Sequence, residues 1–216
     1  MTEPSFHPRP RISDQPSGKI RHPRREEPWT LPAMPRQQSG APVRDVECFA
    51  CRQYTPVPAS AVSARCGHCA AYIKLDDITL HSRTHRTNVQ TRGSVTVQAH
   101  ADLKGLHVEC RDLVLYGRIS GNILCKGICK IKTDQHISGS LSTCRLAVEK
   151  KATVLVINGI HAENVNIEGV LQGTLTATGT VIIRRNAKLL GDLTARRLVI
   201  EEGGTHHGNF TRFTRS

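Results

Sequence analysis

The sequence predicts an all-β protein whose larger part is a β-helix, a solenoid of short stacked strands. A small metal-stapled ribbon and a disordered tail precede it. Three observations predict this: a phrase that returns at nearly constant spacing, a period of two within each return, and two Cys-x-x-Cys pairs ahead of the repeat.

The returning phrase is glycine, any residue, then an aliphatic or aromatic residue. It stands at Gly121-Asn-Ile123, Gly139-Ser-Leu141, Gly173-Thr-Leu175, Gly191-Asp-Leu193 and Gly208-Asn-Phe210, with Asn158-Gly-Ile160 as a variant. From Ile123 to Leu141, Ile160, Leu175, Leu193 and Phe210 the steps are 18, 19, 15, 18 and 17 residues. A recurrence of this length signals stacked turns. Within a turn, Leu193-x-Ala195 is followed by Leu198-x-Ile200, and Ile160-x-Ala162 by Val165-x-Ile167. Alternation over a few residues describes short strands with one face inward.

Aligning the turns places Cys110, Cys125, Thr143, Ala162, Ala177 and Ala195 two positions after each leading apolar residue. Cys110 and Cys125 therefore read as small core residues and not as ligands. Cys129 and Cys144 fall at other phases and receive no role. His100, His107, His136, His161, His206 and His207 are scattered over the turns and read as outward polar residues.

Ahead of the repeat, residues 46–78 read as a zinc-ribbon-like module. Cys48-x-x-Cys51 and Cys66-x-x-Cys69 are separated by fourteen residues. Each pair lets a tight turn aim two thiolates at one ion, and four thiolates complete a closed, structural zinc site. A redox pair or unligated thiols are the alternative uses. A module this small cannot hold itself by apolar burial and needs a staple. Residues 79–92 read as a basic linker. Within it, Thr79-Leu-His-Ser-Arg-Thr-His-Arg86 suits either a solvated connection or a nucleic-acid contact, and His81 and His85 read as surface residues.

Residues 1–45 hold most of the eleven prolines and show no apolar period. Such a segment cannot bury enough surface to offset its ordering entropy. It reads as a disordered tail, with the cluster Arg21-His-Pro-Arg-Arg25 and Trp29 as its one anchor-like residue. The formal charge of +12 suits an acidic partner, whether nucleic acid or an anionic surface, and chooses neither. Aromatics are only 4 % of the chain, so the core must come from Val, Ile, Leu and Ala. There is no run of 18 apolar residues and no apolar leader core, which points to the cytoplasm and reduced cysteines.

The repeat then resembles a known family. The stretches "GRISGNI", "GSLSTCRLAV" and "GTLTATGTVII", with "AKLLGDLTARRLVIEEGG" from Ala187, are similar to bactofilins, bacterial polymer-forming cytoskeletal proteins. The likeness spans residues 93–210. It implies a right-handed β-helix of about six turns that polymerises end to end without nucleotide. Family tails are short and disordered, so the cysteine ribbon departs from that plan.

A solenoid has two ends with unpaired backbone and an apolar interior, normally hidden by caps. No capping helix is legible here, and only residues 211–216 follow Phe210. The end rungs are read as Val95, Val97, Leu103 and Leu106 at one end, and Leu198, Ile200 and Phe210 at the other. These are the expected self-association residues. No Ser/His/Asp constellation, phosphate loop or carboxylate pair stands out, so neither catalysis nor a small-molecule substrate is expected. The resulting expectation is a cytoplasmic scaffold that forms a homopolymer, with protein partners reached through the tail or ribbon. The inner face of the cell membrane is a candidate site of association. The rival reading is an adaptor in which the zinc ribbon binds nucleic acid or protein and the β-helix only multimerises it.

Overall fold

The computed structural model describes residues 42–82 and 87–212, and every regular element among them is a β-strand. Trp29, the Pro- and Arg-rich segment around it and His85 lie outside the described residues.

Two antiparallel hairpins come first. Val43–Glu47 pairs with Tyr54–Pro58, and Ser63–Arg65 pairs with Tyr72–Lys74. Alternation puts Thr55 and Val57 on the inner face of one strand, with Tyr54 and Pro58 outward. Val46, Val57, Ile73 and Leu75 form a small core with Cys48 and Cys66, separate from the core of the repeat.

From Ile78 onward all pairing is parallel. The leading apolar residues run in one register column: Val89, Val108, Ile123, Leu141, Ile160, Leu175, Leu193 and Phe210. Two residues on, the small-residue column is equally regular, from Cys110 through Cys125, Thr143, Ala162 and Ala177 to Ala195. All six of these small residues are buried. Gln135, Val154, Leu171 and Leu189 stack inward along a further sheet. The interior is a pile of aliphatic layers, each too thin to be a core alone.

Two backbone devices keep the stack in register. At Gly173, Gly191 and Gly208 φ lies at 138°, 124° and 144°, and a side chain on Gly191 or Gly208 would strike the carbonyl of the glycine one turn below. Uneven turn lengths are absorbed at the corner where the two strand halves meet. Register shifts there at Gly127 and Gly179. The side chains of Asp112 and Asn164 accept hydrogen bonds from the Ile128 and Thr180 amides, at 2.9 and 3.1 Å, in the space that glycine leaves.

The solenoid has about eight turns, not six. It begins earlier than the sequence suggests, because Ile78–Leu80, across the boundary between the segments read as ribbon and linker, and Asn88–Gln90, inside the linker, stack on Ser94–Val97 and His107–Cys110. Val95 and Val97 are therefore not end-rung residues: strands flank them on both sides and they are wholly buried. Leu106 is also buried, while Leu103 sits in a two-residue strand paired only with Arg118–Ile119. At the other end Phe210–Arg212 covers only Leu193–Ala195, and no described strand lies over Arg196–Ile200. Leu198 is half-buried there, and Val199, Ile200 and Phe210 are 40 %, 45 % and 45 % exposed.

Leu175 lies between Ile160 and Leu193 with no exposed surface. Leu175→Ala should cost about 2–5 kcal/mol in urea unfolding, against less than about 0.5 kcal/mol for the outward Thr176→Ala. Equal costs would contradict the layered interior.

Candidate metal centre and solenoid end

Each Cys-x-x-Cys pair occupies the turn of one ribbon hairpin. In the first turn the Arg52 amide donates to the Cys48 carbonyl at 3.2 Å, and in the second the Ala70 amide donates to the Cys66 carbonyl at 2.9 Å. Arg52 and Ala70, each just after the second cysteine of its pair, share the left-handed conformation with φ of 60° and 58°. Two copies of one local geometry thus aim four sulfurs at a common point.

All four Sγ atoms lie within 4.8 Å of one another, with Cys48–Cys69 at 3.7 Å and Cys51–Cys66 at 3.6 Å. Disulfide sulfurs stand about 2.05 Å apart, so these are free thiols. Four thiolates about 2.3 Å from one tetrahedral ion would stand about 3.8 Å from each other. The cluster has the dimensions and donor set of a closed four-thiolate metal site. It is the only group of this kind among the described residues.

The electrostatics of the four thiols differ. A hydrogen bond from Thr55 Oγ1, then the backbone amides of Cys69 and His68, bring the Cys66 thiol down to about 5. The Cys51 amide, helped by that of Ala50, holds Cys48 low against the cost of burial. The Gln53 amide acts in the same direction on Cys51, but burial and the three neighbouring sulfurs outweigh it and push that thiol up to about 12. Thr55 was missed from sequence, although its place on the inner face beside Val57 was the available signal.

The other cysteines follow solenoid packing. Cys110 and Cys125 stack in register in the core, and their mutual contact raises the first thiol and lowers the second. Cys129 lies in register with Leu113 and Leu146, and burial pushes its thiol well up. Cys144 is half-buried at the corner, where its Sγ lies 3.0 Å from Glu163 Oε2, and that carboxylate raises the thiol.

His100, His107, His136, His161 and His207 are exposed. His206 departs from the expectation of an outward residue. It stands in register with buried Leu189, is half-buried, and places Nε2 3.0 Å from the Gly191 carbonyl. The terminal rung thus puts His206, Phe210 and Arg212 where lower rungs have Leu189, Leu193 and Ala195.

A four-cysteine ribbon of metal-site dimensions ahead of a parallel stack of short strands defines a class: β-solenoids with an accessory cysteine head. The sequence matches the family described as "Bactofilin: Polymer-forming cytoskeletal" over residues 72–157 and 154–211, well over half of the chain. The chain belongs to this family, and its cysteine hairpins lie almost wholly ahead of the matched region. Neither the curated proteins nor the solved structures gave a match.

A metal bound here must displace the thiol protons. Because Cys66 is already a thiolate above about 5, its contribution to loading is lost only as pH falls through that value. Thr55→Val removes the first of the groups that hold it down, so half-loading with cobalt(II), read from thiolate-to-metal absorbance, should move to higher pH. An unchanged midpoint would contradict the role given to Thr55.

Proposed function

We propose that this chain is a cytoskeletal scaffold that assembles end to end into filaments without nucleotide, and that a structural zinc ion closes its four-cysteine head. The observation that carries the first part is the uncovered final rung. Leu198, Ile200 and Phe210, whose columns are buried on the turn below, together expose an apolar step beside a strand edge that no described strand pairs. An exposed edge next to exposed aliphatic residues is a template for another strand. A second copy offers a surface of the same chemistry, so stacking satisfies both. Two such ends meeting join only two copies, so a filament needs the opposite end as its second contact. There, among the described residues, Ile78–Leu80 and Asn88–Gln90 each pair on one side only, whereas Val95 and Val97, flanked on both sides, take no part. Membership of a polymer-forming family supports the reading.

Zinc is the metal that best fits four thiolates in a closed tetrahedral set. The ribbon and the tail are the surfaces through which the filament would recruit protein partners. The net charge of +12 favours an anionic neighbour, and we place the polymer in the cytoplasm, along the inner face of the membrane. A second reading, in which the ribbon binds nucleic acid and the solenoid multimerises it, rests on that same charge. It requires DNA binding that survives high salt, since nonspecific phosphate contacts weaken steeply.

Purified without chelator, the full chain should carry one zinc per molecule by elemental analysis, and a zinc-free preparation would sink the metal assignment. In negative-stain images it should form filaments with no added nucleotide. Phe210→Arg and Ile200→Asp should each raise the concentration needed for assembly more than about 100-fold, because an unpaired buried charge costs roughly 3–5 kcal/mol. Filaments of both variants at wild-type concentrations would refute stacking through this end.

A further inference from the structure

Glu109 occupies an outward position of its strand. In register with it, Gln90 and His161 are exposed and Leu124 and Ser142 are partly so. Yet its side chain is only 3 % exposed. Within the solenoid Gln90 Nε2 donates to Glu109 Oε2 at 3.3 Å, and the first cysteine knuckle supplies the rest of what holds it. Arg52, next after Cys51, places Nη1 2.7 Å from Glu109 Oε1 and 3.4 Å from Glu47 Oε1, and Glu47 is the residue before Cys48. Arg92, between two solenoid strands, donates from Nε to the Glu47 carbonyl at 2.7 Å. Its guanidinium lies 4.0 Å from the centre of the Phe49 ring, and Nη1 stands 3.1 Å from Glu109 Oε1. Lys126, further along the solenoid, reaches Glu47 Oε2 at 3.6 Å.

The solenoid therefore grips the knuckle at three points, Glu47, Phe49 and Arg52, which flank and separate Cys48 and Cys51. These contacts hold the loop that presents two sulfurs. In return, the loop is what keeps Glu109 and Arg92 paired out of water. A buried carboxylate that loses its partner is strongly destabilising, so ordering of the loop and order of the first turns must favour each other.

We propose that Glu109, Arg92 and Arg52 are positioning residues of the metal centre, so that zinc binding in the ribbon and rigidity of the solenoid's first turns are thermodynamically linked. The proposal rests on the four-cysteine site binding metal. Linkage is reciprocal: zinc tightens the turns around Glu109, and loss of the Glu109 contact weakens zinc. Residues supporting a ligand shell typically carry about 10-fold or more in metal affinity. A ribbon anchored by its own metal would make the early turns of every subunit responsive to zinc supply.

The test uses the full chain and zinc alone. Zinc affinity is measured by competition with a chromophoric chelator for wild type, Glu109→Gln and Arg52→Asn. The second variant alters an exposed side chain and keeps a residue type that tolerates positive φ, so it reports on the contact even where Glu109→Gln folds poorly. Each should bind zinc about 10-fold more weakly. In wild type, chelation should speed amide exchange at Ser94–Val97 and His107–Cys110 and leave Leu175–Ile183 unchanged. Tight zinc binding by all three proteins within twofold, with exchange altered only over residues 43–75, would overturn the linkage and leave the metal site standing. A wild-type chain that binds no zinc would overturn both.

Discussion

Parallel hydrogen bonding between successive turns is the constraint on which the rest of the structure depends. A strand of two to nine residues in this solenoid has no partner within its own turn. Its amides and carbonyls are satisfied only by the turn before and the turn after. That dependence explains the glycine column, which lets backbone approach backbone, and the Asp112 and Asn164 side chains, which supply acceptors where the register slips. It also explains why the ends matter. Any unsatisfied edge in such a stack is an edge of the same kind as the pairings inside it.

The two ends are not alike. At the beginning, aliphatic residues are buried, and the cysteine ribbon packs beside the first turns through the ion pairs around Glu109. At the end, Phe210–Arg212 pairs with Leu193–Ala195 alone, and Ile200 and Phe210, whose columns are buried on the turn below, are exposed. His206 and Arg212 bring polar character into columns that are aliphatic or small elsewhere. The last turn is therefore apolar at the step and basic beside it.

Much of this could be read from sequence, because in a solenoid the code is a column. The small residues from Cys110 to Ala195 aligned without error, since one inner corner admits only small side chains. The four knuckle cysteines were equally plain, for Cys-x-x-Cys is a local spacing with local geometry. What escaped has physical reasons. Ile78–Leu80 is three residues long and lacks a leading glycine, so it was divided between the cysteine module and the linker, and the turn count came out low. Val95 and Val97 were misplaced for the same reason. The Arg52–Glu109 pair joins residues 57 apart in different modules, and no periodicity encodes such a meeting. Thr55 and His206 needed their strand's face to be known before their polar atoms acquired a meaning.

If filaments continue the stack from molecule to molecule, the strands lie across the filament and their spacing repeats along it. The most direct measurement is diffraction from oriented filaments of the full chain, or the power spectrum of their cryo-electron images. Continued stacking predicts an axial reflection at about 4.8 Å, the separation of hydrogen-bonded strands, with strands perpendicular to the filament axis. Filaments with strands along the axis, or with no axial reflection near that spacing, would contradict end-to-end stacking of the solenoid.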